Sequence, residues 1–362
     1  SAVLSLGFGA AAMTPVIFQF VRLPRTLGCL LAEKYPGTKL VVGFAETATA
    51  IGAVVTECFS PDCVYIHTTR EAVPGVSDWV AFLEEHSHAT EQNLAGDNLA
   101  QWIEATETVI FVDDEISTGK TLVNMIEQLQ QQYPQLKEKK TVAASLLNRV
   151  SPENMQKLAA AGISCEYLLK LPELDYSARV SAITIHEAPA PLPAAVSLCC
   201  QQLTCDAFAD PRKGIPIREY TLNCEAVAKE FLTRYAHKLP KEASVLVLGT
   251  EECMYPALKI GQALEESGVP QVRCHATTRS PIGICEDAGY PINSGCKLGS
   301  FYDSNRATYI YNLREYDAVI VVSDTPLRDL CALEGLVGAL PGECLPQLFY
   351  IHGGNTVWCP KD

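Results

Sequence analysis

The 362-residue chain has no excess of positive charge: 28 Lys and Arg stand against 42 Asp and Glu, a formal net charge of −14. That balance excludes a general affinity for nucleic acid or for anionic membrane surfaces. A paired C-x-x-C is also lacking, and the fifteen cysteines are an odd number in a long chain. Reduced, mostly buried thiols are therefore expected in place of a disulfide framework, as in a cytoplasmic protein. Cys199, Cys200 and Cys205 form the densest group, but neither a second pair nor a nearby His completes a zinc site. The apolar stretch from Ala2 to Ala12 has no basic leader and no initiating Met. It reads as a truncated or processed start and not as a signal peptide.

The apolar content, 48% of residues, is enough for two packed cores. Glu187-Ala-Pro-Ala-Pro-Leu-Pro193 is semi-rigid, proline-rich chain and marks the break between them. Domains are expected at residues 1–190 and 215–362, with 191–214 as linker. Strands are expected at Lys140 to Leu147 and Cys165 to Leu169. After the break a helix is expected from Ala226 to Tyr235, with a new strand beginning at Ser244.

The most informative segment is Thr108-Val-Ile-Phe-Val-Asp-Asp-Glu-Ile-Ser-Thr-Gly-Lys-Thr121. Val109 to Val112 read as a buried parallel strand, and Leu122 to Leu129 carry apolar residues at helical spacing. The polar stretch therefore lies where strand becomes helix, which is where open α/β sheets bind ligands. Asp113 and Asp114 are paired acceptors suited to two neighbouring ribose hydroxyls, or to the waters of Mg²⁺. Ser117, Thr118, Gly119, Lys120 and Thr121 turn into the helix, whose amide groups and positive dipole end suit a phosphate dianion. Gly119-Lys120-Thr121 also imitates the end of a P-loop, but the first glycine of that motif would fall on Asp114, where a carboxylate repels the β-phosphate.

A second strand and turn, Lys39 to Thr49, leads into a helix with Ile51, Val54 and Val55 on one side. A third strand, Val64-Tyr-Ile-His-Thr-Thr-Arg-Glu71, ends on Arg70, whose fork can bond two phosphate oxygens at once. In the stretch from Val73 to Asn93, Glu84, Glu85, His86 and His88 are candidates for an acid, a base or an anion contact, although a solvated polar loop has the same composition.

These residues carry a resemblance to the type I phosphoribosyltransferases, whose motif is four apolar residues, two acidic residues, a short variable stretch and a Thr-Gly-rich turn closing on Thr. The resemblance implies a parallel sheet flanked by helices and Mg²⁺ with phosphoribosyl pyrophosphate as donor substrate. It gives Asp113 and Asp114 the ribose 2′- and 3′-hydroxyls and Ser117 to Thr121 the 5′-phosphate. It further gives the pyrophosphate the main-chain amides of Ala45, Glu46 and Thr47 together with Arg70. The segment from Val73 to Asn93 becomes a mobile loop that excludes water from the reacting centre. Lys120 stands where glycine is common in that family.

The second half echoes the first in order and nearly in spacing. Val245 to Glu252 resembles Leu40 to Glu46, His275-Ala-Thr-Thr-Arg-Ser280 resembles His67 to Glu71, and Ala318 to Asp324 resembles Val109 to Asp114. The second α/β domain is thus expected to be a degenerate copy, without the ribose-phosphate loop because Asp324 is followed by Thr325-Pro-Leu-Arg328. Thr278-Arg279-Ser280-Pro281 resembles the signature of the TRSP domain, which follows a phosphoribosyltransferase domain in bacterial tellurium-resistance and stress-response gene clusters. That context implies synthesis of a nucleoside-like metabolite. Glu251, Glu252, Arg279 and Ser280 are the candidate site residues of this half. It could bind the acceptor, stand in for the partner subunit with which such transferases dimerise, or be a decayed copy kept for stability.

The expected activity is transfer of 5-phosphoribosyl to a nucleobase-like nitrogen acceptor. The partners are small molecules, with homo-oligomers as a further expectation, and neither nucleic acid nor membrane. A non-catalytic regulator that binds phosphoribosyl pyrophosphate or a nucleotide is the alternative. A ribose-phosphate pyrophosphokinase would need a nucleotide site that the sequence does not display.

Overall fold

The computed structural model describes residues 17–82, 92–172, 183–240, 242–287, 289–325, 329–342 and 345–361. Ala2 to Ala12 and the loop candidates Glu84, Glu85, His86 and His88 lie outside them. Two compact units divide the chain. The first comprises Phe20–Leu174 and Ala209–Thr221; the second takes in residues 183–208 and 222–361.

In the first unit the elements are α1 (Ile17–Lys34), β1 (Thr38–Gly43), α2 (Ala48–Thr56), β2 (Val64–His67), β3 (Trp79–Phe82), β4 (Gln92–Ala95), α3 (Leu99–Ala105), β5 (Thr108–Ile116), α4 (Lys120–Gln132), β6 (Lys140–Asn148), α5 (Pro152–Ala160), β7 (Ile163–Lys170). The main sheet runs β7-β6-β5-β1-β2, all parallel, and a short strand at Ile215–Pro216 pairs antiparallel with β2. β1 and β5 are buried along almost their whole length, as the continuous apolar runs of a sheet covered on both faces require. Every residue of α2 is buried, which its lack of any polar face anticipates. Ser151 caps α5 by accepting from the Asn154 amide at 3.2 Å, with Pro152 at the first helical position. The strand order places a topological switch point between β1 and β5, so the crevice for a ligand lies at their carboxyl ends.

The second unit holds β8 (Leu198–Gln202), most of α6 (Ile217–Tyr235), β10 (Ser244–Gly249), α7 (Tyr255–Glu266), β11 (Gln271–Ala276), β12 (Gly295–Gly299), β13 (Ala307–Tyr311), β14 (Ala318–Ser323), α8 (Cys331–Ala339), β15 (Gln347–His352) and β16 (Thr356–Pro360); β9 denotes Ile215–Pro216. Its sheet runs β11-β10-β14-β15-β16-β8, parallel as far as β15 and antiparallel beyond. The parallel part has the winding of the first sheet, and the hairpin β12–β13 falls between the second and third parallel strands just as β3–β4 does. Its core gathers Leu246, Leu248, Val319, Val321, Leu336 and Tyr350.

The stretch expected as linker contains β8, which pairs with β16 across the direct partners Cys199 and Cys359. No disulfide links the described cysteines. No described helix is long and apolar enough to cross a membrane.

Candidate functional site

The acidic pair sits inside β5 and not beyond its end. The strand continues to Ile116, with Asp113 opposite Ser145 and Glu115 opposite Leu147 on β6. What allows the extension is a charge partner that local sequence does not display: Arg149 lies 3.4 Å from the buried Glu115 carboxylate. The other Glu115 oxygen has no hydrogen-bond partner among the described residues, and burial, outweighing Arg149, holds this carboxyl above its ordinary range.

Asp113 and Asp114 are adjacent on β5, and their side chains lie within hydrogen-bonding reach of each other. Asp113 is half-buried and its Oδ1 accepts the Asp114 amide at 2.9 Å. Asp114 is only 8% exposed. Burial first, and the Asp113 carboxylate second, raise its proton affinity well above the usual carboxylate range. Such a group is ready for a cation or for hydroxyl donors, since either replaces the water it has lost.

Beyond Ile116 the chain meets solvent. Ser117, Thr118, Lys120 and Thr121 are exposed, while Gly119 is buried. Gly119 is the N-cap of α4 in a left-handed conformation (φ 75°), and a Cβ there would come within 3.1 Å of Leu158. The left-handed backbone favours glycine here, and a Cβ would also press on the Leu158 side chain. Gly119 offers this thirteen-residue helix no side-chain cap, and the Lys120 N–H donates to Thr118 Oγ1 over a long 3.4 Å. Four polar side chains thus surround an open helix N-terminus, which attracts anions.

Next to it, the loop after β1 is pinned by three hydrogen bonds. Phe44 N–H donates to the Val112 carbonyl at 3.0 Å, Thr68 N–H to the Gly43 carbonyl at 2.9 Å, and Ala45 N–H to Thr68 Oγ1 at 2.9 Å. The Ala45–Glu46 peptide is cis. The Ala45 amide is therefore engaged within the protein, and the amides expected to face an anion reduce to those of Glu46 and Thr47. Gly43 lets the loop approach β2, because a Cβ there would stand 2.6 Å from the Tyr65 hydroxyl.

Arg70 follows β2 and is half-buried. Thr69 just before it exchanges two backbone hydrogen bonds with Asn93, each 2.8 Å, and Thr68 Oγ1 donates to Gln92 at 2.7 Å. Thr68 and Gln92 thus tie the hairpin base to the β1 loop. In the sequence these residues pass for ordinary strand-end polar groups, and only the recurrence of Thr-Thr-Arg at 277–279 hinted at more. Asp113 to Thr121, Ala45 to Thr47 and Arg70 converge because β5, β1 and β2 are neighbours in the sheet.

In the second unit Glu251 and Arg279 meet directly, Nε to Oε2 at 3.0 Å, and Glu252 lies 3.9 Å from Arg279 Nη2. Ser280 takes part through its backbone, donating to Thr278 Oγ1 and accepting from Tyr311. Sequence reasoning missed Ser300, Tyr302 and Arg306. They come from the β12–β13 turn, residues 300–306, whose counterpart between β3 and β4 lies outside the described residues.

Among the described residues no three His, Cys, Asp or Glu side chains converge as a metal cage. The two carboxylates on β5 suit Mg²⁺ in its usual manner, held through water by one or two carboxylates and by substrate phosphates.

Residues 13–172 match the family described as phosphoribosyl transferase, and residues 211–340 match the TRSP domain C-terminal to it. No curated protein matches the sequence. Among solved structures, the chain is similar to the APRTase from Giardia lamblia complexed with 9-deazaadenine, at 15% identity, with 42% of this chain and 80% of that one covered and a TM-score of 0.31. It is also similar to the adenine phosphoribosyl transferase from Trypanosoma brucei in complex with AMP, pyrophosphate and ribose-5-phosphate. That match has 13% identity, covers 45% of this chain and 74% of that one, and has a TM-score of 0.31.

Proposed function

We propose that this chain, a phosphoribosyl transferase domain at residues 13–172 followed by a TRSP domain at 211–340, moves a 5-phosphoribosyl group from phosphoribosyl pyrophosphate to a nucleobase-like nitrogen acceptor. The observation that carries the reading is the run within β5 and α4. A half-buried and a buried carboxylate are followed, five residues on, by an open helix N-terminus lined with hydroxyls and Lys120, all at the switch point of the sheet.

In this reading Asp113 and Asp114 accept hydrogen bonds from the ribose diol and favour the positive charge that develops as the glycosidic carbon becomes oxocarbenium-like. Ser117, Thr118, Lys120 and Thr121, with the first amides of α4, hold the 5′-phosphate, so binding energy away from the reacting carbon fixes its alignment. The bond from that carbon to diphosphate oxygen breaks with its electron pair leaving on the diphosphate. The acceptor nitrogen supplies the new pair and releases its proton. Arg70 and the amides of Glu46 and Thr47 stabilise the departing anion. Mg²⁺ carried by the donor would spread diphosphate charge, with Asp113 and Asp114 as its water-mediated contacts on the protein. The setting is a cytoplasmic pathway to a nucleoside-like metabolite, of the tellurium- and stress-resistance kind that the TRSP resemblance implies.

The test is a calorimetric titration of phosphoribosyl pyrophosphate with Mg²⁺ into wild type and an Asp113→Asn/Asp114→Asn variant. Binding by wild type that the variant lacks is expected. A folded wild type that takes up no donor would refute the reading.

A further inference from the structure

The two units repeat one hydrogen-bond scaffold at the carboxyl ends of their central strands. In the second, Thr277 N–H donates to the Gly249 carbonyl at 3.1 Å and Thr250 N–H to Val322 at 3.0 Å. The Glu251 N–H donates to Thr277 Oγ1 at 3.0 Å. Thr278 and Tyr309 exchange two bonds of 2.9 and 2.7 Å, as Thr69 and Asn93 do in the first unit. Each bond has its counterpart above, so the positions correspond residue by residue: Ala45 to Glu251, Thr68 to Thr277, Arg70 to Arg279.

Where the first unit puts a methyl group, the second puts a carboxylate. Glu251 is fully buried, with its backbone in the left-handed region at φ 47°, a conformation that costs a non-glycine residue energy and needs contacts to hold it. Its carboxylate accepts from Arg279 Nε at 3.0 Å, Arg306 Nη2 at 2.7 Å and Ser300 Oγ at 2.5 Å. Arg306 also bonds Ser300 at 3.0 Å. Two guanidinium groups and a hydroxyl converging on one buried oxyanion, at the switch point of a doubly wound sheet, form a donor set suited to a phosphoryl group.

We propose that the second unit contains a phosphoryl-anion site occupied from within by the Glu251 carboxylate, and that removing this carboxylate uncovers a site for inorganic diphosphate on Arg279, Arg306 and Ser300. The proposal rests on the proposed function in one respect only, the assignment of the loop at Ala45 to an anion. The chain then has one donor site, and the anion position of its second copy is closed by a single side chain.

The test is titration of sodium diphosphate at constant ionic strength into full-length wild type and Glu251→Ala, with Glu251→Ala/Arg279→Met as the locating control. The expected result is one more diphosphate per chain in Glu251→Ala than in wild type, lost again in the double variant. Wild type taking up one diphosphate or none reports on the first unit, whereas the increment reports on the second, so the two readings fail separately. A folded Glu251→Ala without the increment overturns the proposal, as does an increment that survives the double variant. If Glu251→Ala does not fold in chloride, its refolding is compared in diphosphate and in sodium chloride of equal ionic strength. Recovery in diphosphate alone supports the proposal; recovery in neither, or equally in both, overturns it.

Discussion

Replacing Asp114 by asparagine is expected to separate stability from binding. Burial, and then the neighbouring Asp113 charge, raise the Asp114 pKa from an ordinary 3.8. A group whose folded pKa is raised contributes stability that is complete below its unfolded pKa and is lost as the pH climbs through the folded value. As the pH rises above the unfolded pKa wild type loses that contribution, and asparagine, which has the same shape and never ionises, does not. The variant should therefore unfold at higher urea than wild type at pH 8, with the difference shrinking towards pH 4. Binding moves the other way. A hydrogen bond to a charged group contributes about 1.5–3 kcal/mol, so losing one from a ribose hydroxyl should weaken the donor roughly 10- to 150-fold at about 1.4 kcal/mol per decade. Urea midpoints at pH 4 and pH 8, set beside calorimetric affinities for the donor with Mg²⁺, measure both. A variant that is less stable at pH 8, or one that binds the donor as wild type does, would refute the assignment.

Arg149→Met leaves the buried Glu115 carboxylate without its cation. The expected cost is about 3–5 kcal/mol, a fall of roughly 6–20 °C in melting temperature at about 2–4 °C per kcal/mol, and adding Glu115→Gln should restore most of it. Gly119→Ala places a side chain at φ 75° against Leu158; a loss of about 1–2 kcal/mol and a weakened donor affinity are expected by unfolding and calorimetry. Thr68→Val removes the acceptor of the Ala45 amide and the donor to Gln92. About 1–3 kcal/mol of stability should go with it, along with a fall in kcat/KM for the donor. Thr277→Val removes the same bond to Glu251 and should cost similar stability while leaving turnover unchanged. Equal kinetic effects from the two substitutions would contradict the division of labour between the units.

The parts of the site that were legible in the sequence are those whose physics is local. An apolar run, two carboxylates and a hydroxyl-rich turn at glycine stand in consecutive order, and Gly119 and α4 lie where that order puts them. What escaped depends on partners distant in the chain. β5 was read as ending at Val112 because two acids and a glutamate look like solvated chain, and only Arg149, thirty-four residues beyond Glu115, makes four further strand residues tolerable in the interior. The Ala45 amide was assigned to an anion because nothing local reveals that Thr68, twenty-three residues on, already accepts from it. β8 fell inside the stretch expected as linker, and its pairing is with a strand at the far end of the chain.

The echo between the halves was visible through its glycines, arginines and acids, and the strands give its register: Gly43 lies beside Val112 as Gly249 lies beside Val322, so Asp113 answers to Ser323 and Asp114 to Asp324. That register has a chemical consequence. The second unit keeps the acid whose first-unit counterpart is buried and loses the one that is half-exposed, and Tyr302 donates its hydroxyl to the acid that remains. Two residues beyond Asp324 the sequence has Pro326, which has no N–H and cannot serve as a phosphate donor. With a tyrosine on its one remaining acid and a glutamate in its anion position, the second unit differs from the first at the acidic pair and at the anion loop separately. Restoring one should not restore the other: Glu251→Ala is expected to gain inorganic diphosphate and still gain no phosphoribosyl pyrophosphate beyond what the diphosphate moiety alone provides. Competition calorimetry between the two ligands decides it, and a clear preference of the new site for the full donor would mean that the second unit still reads ribose.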